Sequence, residues 1–186
     1  MCVARLASRD RATTRILHNG CGSSELGVAL AEESAPHCFQ QVVNGDFAAA
    51  VVQQMSKRFP RQTFLIVDAK SMPFRDASLD VIICKGMFDS ITADAITRPV
   101  AAAAVLLEAA RCLSADGEYL IFSTFGPGDR DKDMFALLQH PDFDLDVEML
   151  PWPPLEIPDQ PSSFLWSLKR KPRLPVSFAT EGVAVL

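Results

Sequence analysis

Residues 15–33 read RILHNGCGSSELGVALAEE, and this stretch decides the fold. It opens with a short apolar run, turns on Gly20 and Gly22, and continues with leucine and alanine at helical spacing. The pattern predicts a strand, a tight glycine turn and a helix. Such a turn can simply reverse the chain, or it can bring backbone amides close to a small polar ligand. The residues outside this stretch must distinguish the two functions.

The same alternation of strand and helix continues along the chain. Strands are predicted at residues 15–19, 39–46, 63–69, 78–86, 117–124, 143–150 and 162–170. Helices are predicted at residues 23–33, 47–59, 99–113 and 130–139, and a proline-rich loop at residues 151–161. The expected fold is α/β, a doubly wound and mainly parallel seven-stranded sheet in three α/β/α layers. Because no helix separates the two closing strands, we expect the last strand to be antiparallel.

The composition is that of an acidic globular protein. The chain has 186 residues, of which 48% are hydrophobic and 22% charged, with a formal net charge of −5 and a pI near 5.2. This length fits a single domain over residues 1–186. The negative charge argues against binding to nucleic acid or to an anionic membrane surface. No apolar run approaches the roughly 20 residues that a membrane span requires.

The cysteines and histidines are dispersed along the sequence. Five cysteines and three histidines, without a C-x-x-C pair, fit neither a disulfide framework nor a zinc site. We therefore predict no metal and a reducing compartment, the cytoplasm. The arginine-rich start, MCVARLASRDRATTR, has the composition of a mitochondrial transit peptide. The first predicted strand begins at its last residue, however, which makes the mitochondrion the less favoured location.

Polar residues stand at the carboxyl ends of five predicted strands. In an open α/β sheet, ligands bind beyond these ends, close to the point where the strand order reverses. We therefore expect these residues to meet at one edge of the sheet. In strand order they are Asn19 to Ser24, then Asp46, Asp68, Lys85 with Gly86, and Ser123 with Thr124.

The glycine turn departs from the phosphate-binding patterns. Glu25 stands where G-x-G-x-x-G has its third glycine, and no Gly-Lys-Ser/Thr follows, so a nucleoside without phosphates fits better. Asp46 lies about as far past the glycines, roughly 20 residues, as the ribose-binding acid of a βαβ unit. Asp68 could accept a hydrogen bond from the adenine amine. Either carboxylate alone could instead form a turn or cap a helix.

Four stretches resemble class I S-adenosylmethionine-dependent methyltransferases. The narrower resemblance is to the methyltransferase-like group that includes the lysine methyltransferases of elongation factor 1A and of citrate synthase. The stretches are ILHNGCGSSEL, GDFAAAVVQQM, FLIVDAKSMPFRDASLDVIICKGMFDSI and LLEAARCLSADGEYLIFSTFGPGDR. With the closing strand SSFLWSLKR, the resemblance covers about residues 14–171. Its most specific part is the Lys-Gly-x-x-Asp signature at Lys85, Gly86 and Asp89.

The resemblance implies S-adenosylmethionine as the cofactor and a set of residues that bind it. The glycine turn would hold the methionine end, largely through backbone groups. Asp46 would bind the ribose, and Asp68 with the amide of Ala69 would bind the adenine. The full set is Asn19, Gly20, Cys21, Gly22, Ser24, Asp46, Phe47, Asp68, Ala69, Lys85 and Gly86.

Lys85 and Asp89 are the catalytic residues that the resemblance implies. They would line the opening through which the methyl group is transferred, and Asp89 would accept a hydrogen bond from the incoming amine. Lys85 could equally be a solvent-exposed lysine, Asp89 could cap a turn, and Ser24 could cap a helix. The sequence departs from the usual signature at Cys84, Met87 and Phe88, which replace acidic, threonine and leucine residues.

Three functions remain open at this stage. The first is methylation of a lysine on a protein substrate, and the second is methylation of a small molecule, since one fold hosts many acceptors. The third is binding of the cofactor, or of a partner, without turnover. Phe88, Phe125 and Trp152 could shape a substrate groove or pack in the core. The sequence predicts no oligomeric state.

Overall fold

A seven-stranded β-sheet in the order β3-β2-β1-β4-β5-β7-β6 organises the protein. The computed structural model describes residues 5–32, 38–129, 133–150 and 163–172. The strands are β1 (Arg15–Asn19), β2 (Gln41–Asp46), β3 (Thr63–Ile66), β4 (Leu79–Lys85), β5 (Leu113–Ser123), β6 (Phe143–Leu150) and β7 (Ser163–Arg170). The helices are α1 (Leu26–Leu30), α2 (Ala49–Arg58), α3 (Met87–Ile91), α4 (Arg98–Cys112) and α5 (Met134–Leu138).

The strand directions confirm the fold expected from the sequence. Strands β1 to β5 pair in parallel, whereas β7 runs antiparallel between β5 and β6. Strand order reverses at β1, which pairs with β2 on one side and with β4 on the other. The carboxyl end of β1, where the glycine turn begins, therefore lies at the switch point of the sheet.

Side chains on the two sheet faces build separate hydrophobic cores. Ile16 packs in a cluster with Leu30 of α1, while its neighbour Leu17 packs in another that contains residues of α4. Successive strand residues point to opposite faces, so the sheet is covered on both sides. Helix α2 adds a third, smaller cluster, in which Met55 of α2 packs together with Phe64 of β3.

Helix α4 packs closely because its inner face is built from small residues. Ala102, Ala109 and Ala110 are almost completely buried, and Pro99 stands in the first turn, where a missing amide hydrogen costs nothing. Its buried residues belong to the same core cluster as Ile82 of β4 and Tyr119 of β5. Within the described residues, no helix is both long and apolar enough to cross a membrane.

The structure adds one helix to the predicted elements and shifts several of their boundaries. Helix α3 was not predicted, α1 spans Leu26–Leu30 rather than residues 23–33, and β5 begins at Leu113 rather than at residue 117. The start of β5 was missed because SADG reads as a turn. The pairing between β4 and β5 is irregular there, since Leu79 pairs with Leu113 and Val81 next pairs with Glu118. The proline-rich loop, Cys2, His37, Arg130 and Trp152 lie outside the described residues.

A buried polar pair joins β1 to β2 beneath the glycine turn. His18 and Asn44 are register partners with no exposed surface, and Nδ1 of His18 lies 3.3 Å from Oδ1 of Asn44. The Asn44 amide group also donates to the carbonyl of Thr63 at 3.3 Å. Gly27 makes room for this pair, because a Cβ there would lie 1.9 Å from Oδ1 of Asn44.

Burial lowers the pKa of His18 from 6.5 to about 4, partly opposed by the hydrogen bond with Asn44. Among the described residues, Nε2 of His18 has no hydrogen-bond partner, so a second proton there would be buried without an acceptor. The unfolded chain therefore binds more protons than the native state between pH 6.5 and 4. The native state consequently loses stability as the pH falls through this window.

We expect His18→Gln to flatten this pH dependence, because glutamine can keep a hydrogen bond with Asn44 but does not titrate. One such proton contributes at most about 1.4 kcal/mol per pH unit to the slope of the unfolding free energy. Urea unfolding at several pH values between 7 and 4 measures that slope. His140 is the control position, because burial lowers the pKa of this histidine too. Its side chain is 15% exposed, so His140→Gln should flatten the slope less than His18→Gln. Equal effects of the two substitutions would contradict the assignment.

Candidate functional site

A cavity of about 210 Å³ lies where β1, β2 and β3 end, against helix α3. Six of the residues predicted from the sequence line it. They are Asn19, Gly20, Asp46, Phe47, Asp68 and Ala69. The remaining lining residues are Val67, Lys70, Met87 and Ile91. The expectation that polar strand ends meet at one edge of the sheet is thus realised for the first three strands.

The glycine turn adopts a backbone that favours glycine at two positions. Gly20 and Gly22 have φ angles of +69° and +51°, a region that other residues rarely enter. Gly20 is also required by a close approach, since a Cβ there would lie 2.3 Å from both Cβ and Cγ of Met87. The amide of Cys21 donates to the carbonyl of Gly45 at 2.9 Å, which fastens the turn to β2.

Asp46 orders the turn through its carboxylate and also lines the cavity. Its Oδ2 accepts a hydrogen bond from the amide of Gly22 at 2.8 Å, and its Oδ1 accepts one from the amide of Ala48 at 2.9 Å. The turn-forming function considered from the sequence is therefore present. A carboxylate offers about four acceptor positions, so Asp46 can keep both of these bonds and still accept others from a ligand.

Asp68 closes a turn at the neighbouring strand end. Its Oδ1 accepts from the amide of Lys70 at 2.9 Å, and its carbonyl accepts from the amide of Ser71 at 3.0 Å. Asp68 is half-buried and Ala69 is buried, and both line the cavity. Asp46 and Asp68 therefore stand at the ends of two adjacent strands, along the same cavity wall, as the sequence predicted.

Two predicted residues of the turn have surroundings that suit a structural function. Cys21 is 2% exposed and packs in the cluster under α2, and burial raises the pKa of its thiol to about 11. The hydroxyl of Ser24 accepts a hydrogen bond from the amide of Leu26, the first residue of α1, at 3.3 Å. Among the described residues, neither belongs to the cavity wall.

The signature after β4 lies beside the cavity rather than in it. Within the described part of the chain, Lys85, Gly86 and Asp89 are not among the lining residues. Lys85 is exposed, and Gly86 begins the turn into α3 with a φ of +77°. Asp89 points to the end of β5, where its Oδ1 accepts from the Ser123 hydroxyl at 2.7 Å and its Oδ2 from the Thr124 amide at 3.3 Å.

Met87 and Ile91 are wall residues that the sequence did not reveal. Both come from α3, and their spacing of four residues puts them on one side of that helix. The apolar spacing in KGMFDSI was the available signal, but it needs the helix to be recognised first. Phe88, between them, is completely buried, and burial raises the pKa of the neighbouring Cys84 thiol to about 12.

Two of the three aromatic residues considered for a substrate groove, Phe88 and Phe125, pack against the core. Phe88 lies in the core under α4, and Phe125 is half-buried, its carbonyl accepting from the indole of Trp166 at 3.1 Å.

Two larger concavities, of about 600 and 840 Å³, lie away from the carboxyl ends of β1 to β4. In the first, Arg5 and Arg9 pair with Glu118. Among the described residues, no group of three or more His, Cys, Asp or Glu side chains is arranged to hold a metal ion.

Comparison with known proteins finds relatives that are named as methyltransferases of eEF1A. The "eEF1A lysine and N-terminal methyltransferase" of Bos taurus is 34% identical over 114 residues, which are 59% of this chain and 16% of that protein. Its Drosophila melanogaster homolog is 34% identical over 84 residues, 43% of this chain and 12% of that protein. The chain therefore spans only a small part of the length of these relatives.

Solved structures share the fold at low sequence identity. A SAM-dependent methyltransferase from Methanosarcina mazei matches with a TM-score of 0.68 at 15% identity, over 92% of this chain and 98% of that one. A TehB-like SAM-dependent methyltransferase from Corynebacterium glutamicum matches with a TM-score of 0.66 at 17% identity, over 91% and 86%. The model of the methyltransferase domain family matches residues 17–121, more than half of the chain. The protein belongs to the methyltransferase domain family.

Proposed function

We propose that this protein transfers a methyl group from S-adenosylmethionine to a lysine side chain of a protein substrate. One observation supports the proposal above all: in a chain of the methyltransferase domain family, Gly20 of the glycine turn, Asp46 and Asp68 share one cavity at the switch point of the sheet. This is the position at which open α/β sheets bind nucleosides.

The chemistry of the cavity fits an adenosine group. Phe47, Val67, Met87 and Ile91 supply apolar surface for the faces of a purine ring. Asp46 would accept hydrogen bonds from the ribose hydroxyls, and Asp68 would accept one from the adenine amine while the amide of Ala69 donates to the ring. This distribution, apolar walls with a few acceptors at fixed places, is typical of small-molecule sites.

The methionine end of the cofactor would lie along the glycine turn. Gly20 and Gly22 leave the backbone accessible, and Asn19 lines the cavity beside them. Cys21 and Ser24 would contribute through backbone carbonyls, because their amides already donate to the carbonyls of Gly45 and Cys21. The thiol of Cys21 is buried and the hydroxyl of Ser24 accepts from Leu26. The signature at the end of β4 would then line the side of the site where the methyl group is transferred.

Methyl transfer needs alignment more than it needs acid or base catalysis. When bound, the sulfonium cofactor would supply a methyl carbon that carries its own leaving group, a neutral thioether. The protein has to hold the lysine amine in its neutral form, in a site from which water is excluded. Asp89 would accept a hydrogen bond from that amine, and Lys85 and Gly86 would line the same opening.

The names of the relatives support a lysine on a protein as the acceptor. They are eEF1A lysine and N-terminal methyltransferases, about one third identical over the matched part. The resemblance noted from the sequence covers the glycine turn and the signature at Lys85, Gly86 and Asp89. We therefore take elongation factor 1A as the first substrate to test.

Asp46→Ala should weaken the binding of S-adenosylhomocysteine at least tenfold. The carboxylate is proposed to accept hydrogen bonds from the ribose, and each bond to a charged group is worth about 1.5–3 kcal/mol. Isothermal titration calorimetry measures the affinity. Asp144→Ala is the matched control, because Asp144 is an exposed carboxylate on β6. Unchanged affinity in Asp46→Ala would remove the ribose assignment.

The acceptor class is tested by following a tritiated methyl group. The protein is incubated with methyl-tritiated S-adenosylmethionine and either purified elongation factor 1A or a dialysed eukaryotic cell lysate. We expect a labelled protein band that yields methyl-lysine on acid hydrolysis, and a band at least tenfold weaker with Asp46→Ala. Label found only in small molecules, or cofactor binding without transfer, would contradict the proposed acceptor.

A further inference from the structure

Helix α3 connects the cavity to the end of β5. Met87 and Ile91 stand on its cavity side, and the Met87 side chain lies against Gly20 of the glycine turn. On the other side, Asp89 reaches Ser123 and Thr124. One short helix therefore forms part of the proposed cofactor wall and carries a proposed catalytic carboxylate.

The amino end of α3 is held by two contacts, and just beyond its carboxyl end the Arg98 side chain donates to the carbonyls of Thr92 at 2.8 Å and Ala93 at 3.2 Å. The amide of Gly86 donates to the carbonyl of Phe122 at 3.1 Å, and the amide of Phe88 donates to the Cys84 thiol at 3.2 Å. Both contacts lie at the amino end of the helix. A helix of five residues has little stability of its own, so its orientation depends on tertiary contacts.

Ser123 supplies a buried contact of that kind. Ser123 is the last residue of β5 and is 3% exposed. The hydroxyl donates to Oδ1 of Asp89 at 2.7 Å and accepts from the amide of Phe125 at 3.0 Å. Ser123 itself is fixed by the sheet, where it pairs with Phe164 of β7. The short distance to a carboxylate oxygen is that of a charge-assisted hydrogen bond.

We propose that Ser123 is a positioning residue: by holding Asp89 to the end of β5, it fixes α3 and thereby sets both the cavity wall at Met87 and Ile91 and the carboxylate beside the methyl-transfer opening. The proposal rests on the proposed function of this site. It predicts that a residue outside the cavity wall controls cofactor affinity, because the wall moves with the helix that Asp89 anchors.

A second serine–aspartate pair on the same strand provides a matched control. Near the amino end of β5, the hydroxyl of Ser114 donates to Oδ1 of Asp80 at 2.9 Å. Asp80 also pairs with Arg15 at 2.8 Å. Ser114→Ala removes the same kind of bond from the same strand, at the end remote from the cavity. If Ser123 had only a structural function, Ser123→Ala and Ser114→Ala would have the same ligand affinity.

The experiment measures S-adenosylhomocysteine affinity by calorimetry and thermal stability without ligand. We expect Ser123→Ala to bind about three- to tenfold more weakly than the wild type, the range set by loss of one hydrogen bond. Ser123→Thr, which restores a hydroxyl, should recover most of the affinity. Ser114→Ala should stay within about a factor of two of the wild type, because distant sites act independently. Equal affinity of Ser123→Ala and the wild type would overturn the proposal.

A double-mutant cycle tests whether Ser123 acts through Asp89. In the Asp89→Asn background, adding Ser123→Ala should change the affinity by less than about a factor of two, since the bond that it removes is already weakened. Full additivity of the two effects would overturn the proposal.

If the wild type itself binds no S-adenosylhomocysteine, the proposed function fails. If the wild type binds it and Ser123→Ala binds it equally well, only the positioning function of Ser123 fails.

Discussion

The hydrogen bond from the Gly22 amide to the Asp46 carboxylate is the contact on which the candidate site depends. It joins the turn after β1 to the end of β2, beside the bond from the Cys21 amide to the Gly45 carbonyl. Together these bonds hold a backbone with positive φ at Gly20 and Gly22, which would otherwise sample many conformations. The acid that is proposed to bind a ribose therefore first preorganises the turn beside it.

A buried polar contact beneath this turn explains why the strands that end there are held in one register. His18 and Asn44 join β1 and β2 by a buried polar contact, and Asn44 continues it to Thr63 of β3. Such a pair is costly to bury but specifies one register, because a one-residue slip would leave its members without partners. The three strand ends that form the cavity are therefore held in one register.

Much of the fold could be predicted because the sequence is locally consistent with it. The strand at Arg15–Asn19 and the alanine-rich helix α4 have clear periodicity, and both occur where they were expected. Helix α3 was missed because a five-residue helix gives too short a pattern to separate from the preceding strand. The candidate site shows the same difference. Asp46 and Asp68 could be predicted because they stand at strand ends. The place of Met87 depends on α3, and the Ser123–Asp89 contact depends on the pairing of β4 with β5.

The central claim is that adenosine binds between the glycine turn and α3. The most direct test is an NMR measurement of intermolecular nuclear Overhauser effects on the protein with S-adenosylhomocysteine bound. The account predicts contacts from the adenine protons to side-chain protons of Phe47 and Met87, which line the cavity. Contacts confined to residues elsewhere on the surface, or saturation of the protein without contacts to either side chain, would contradict it.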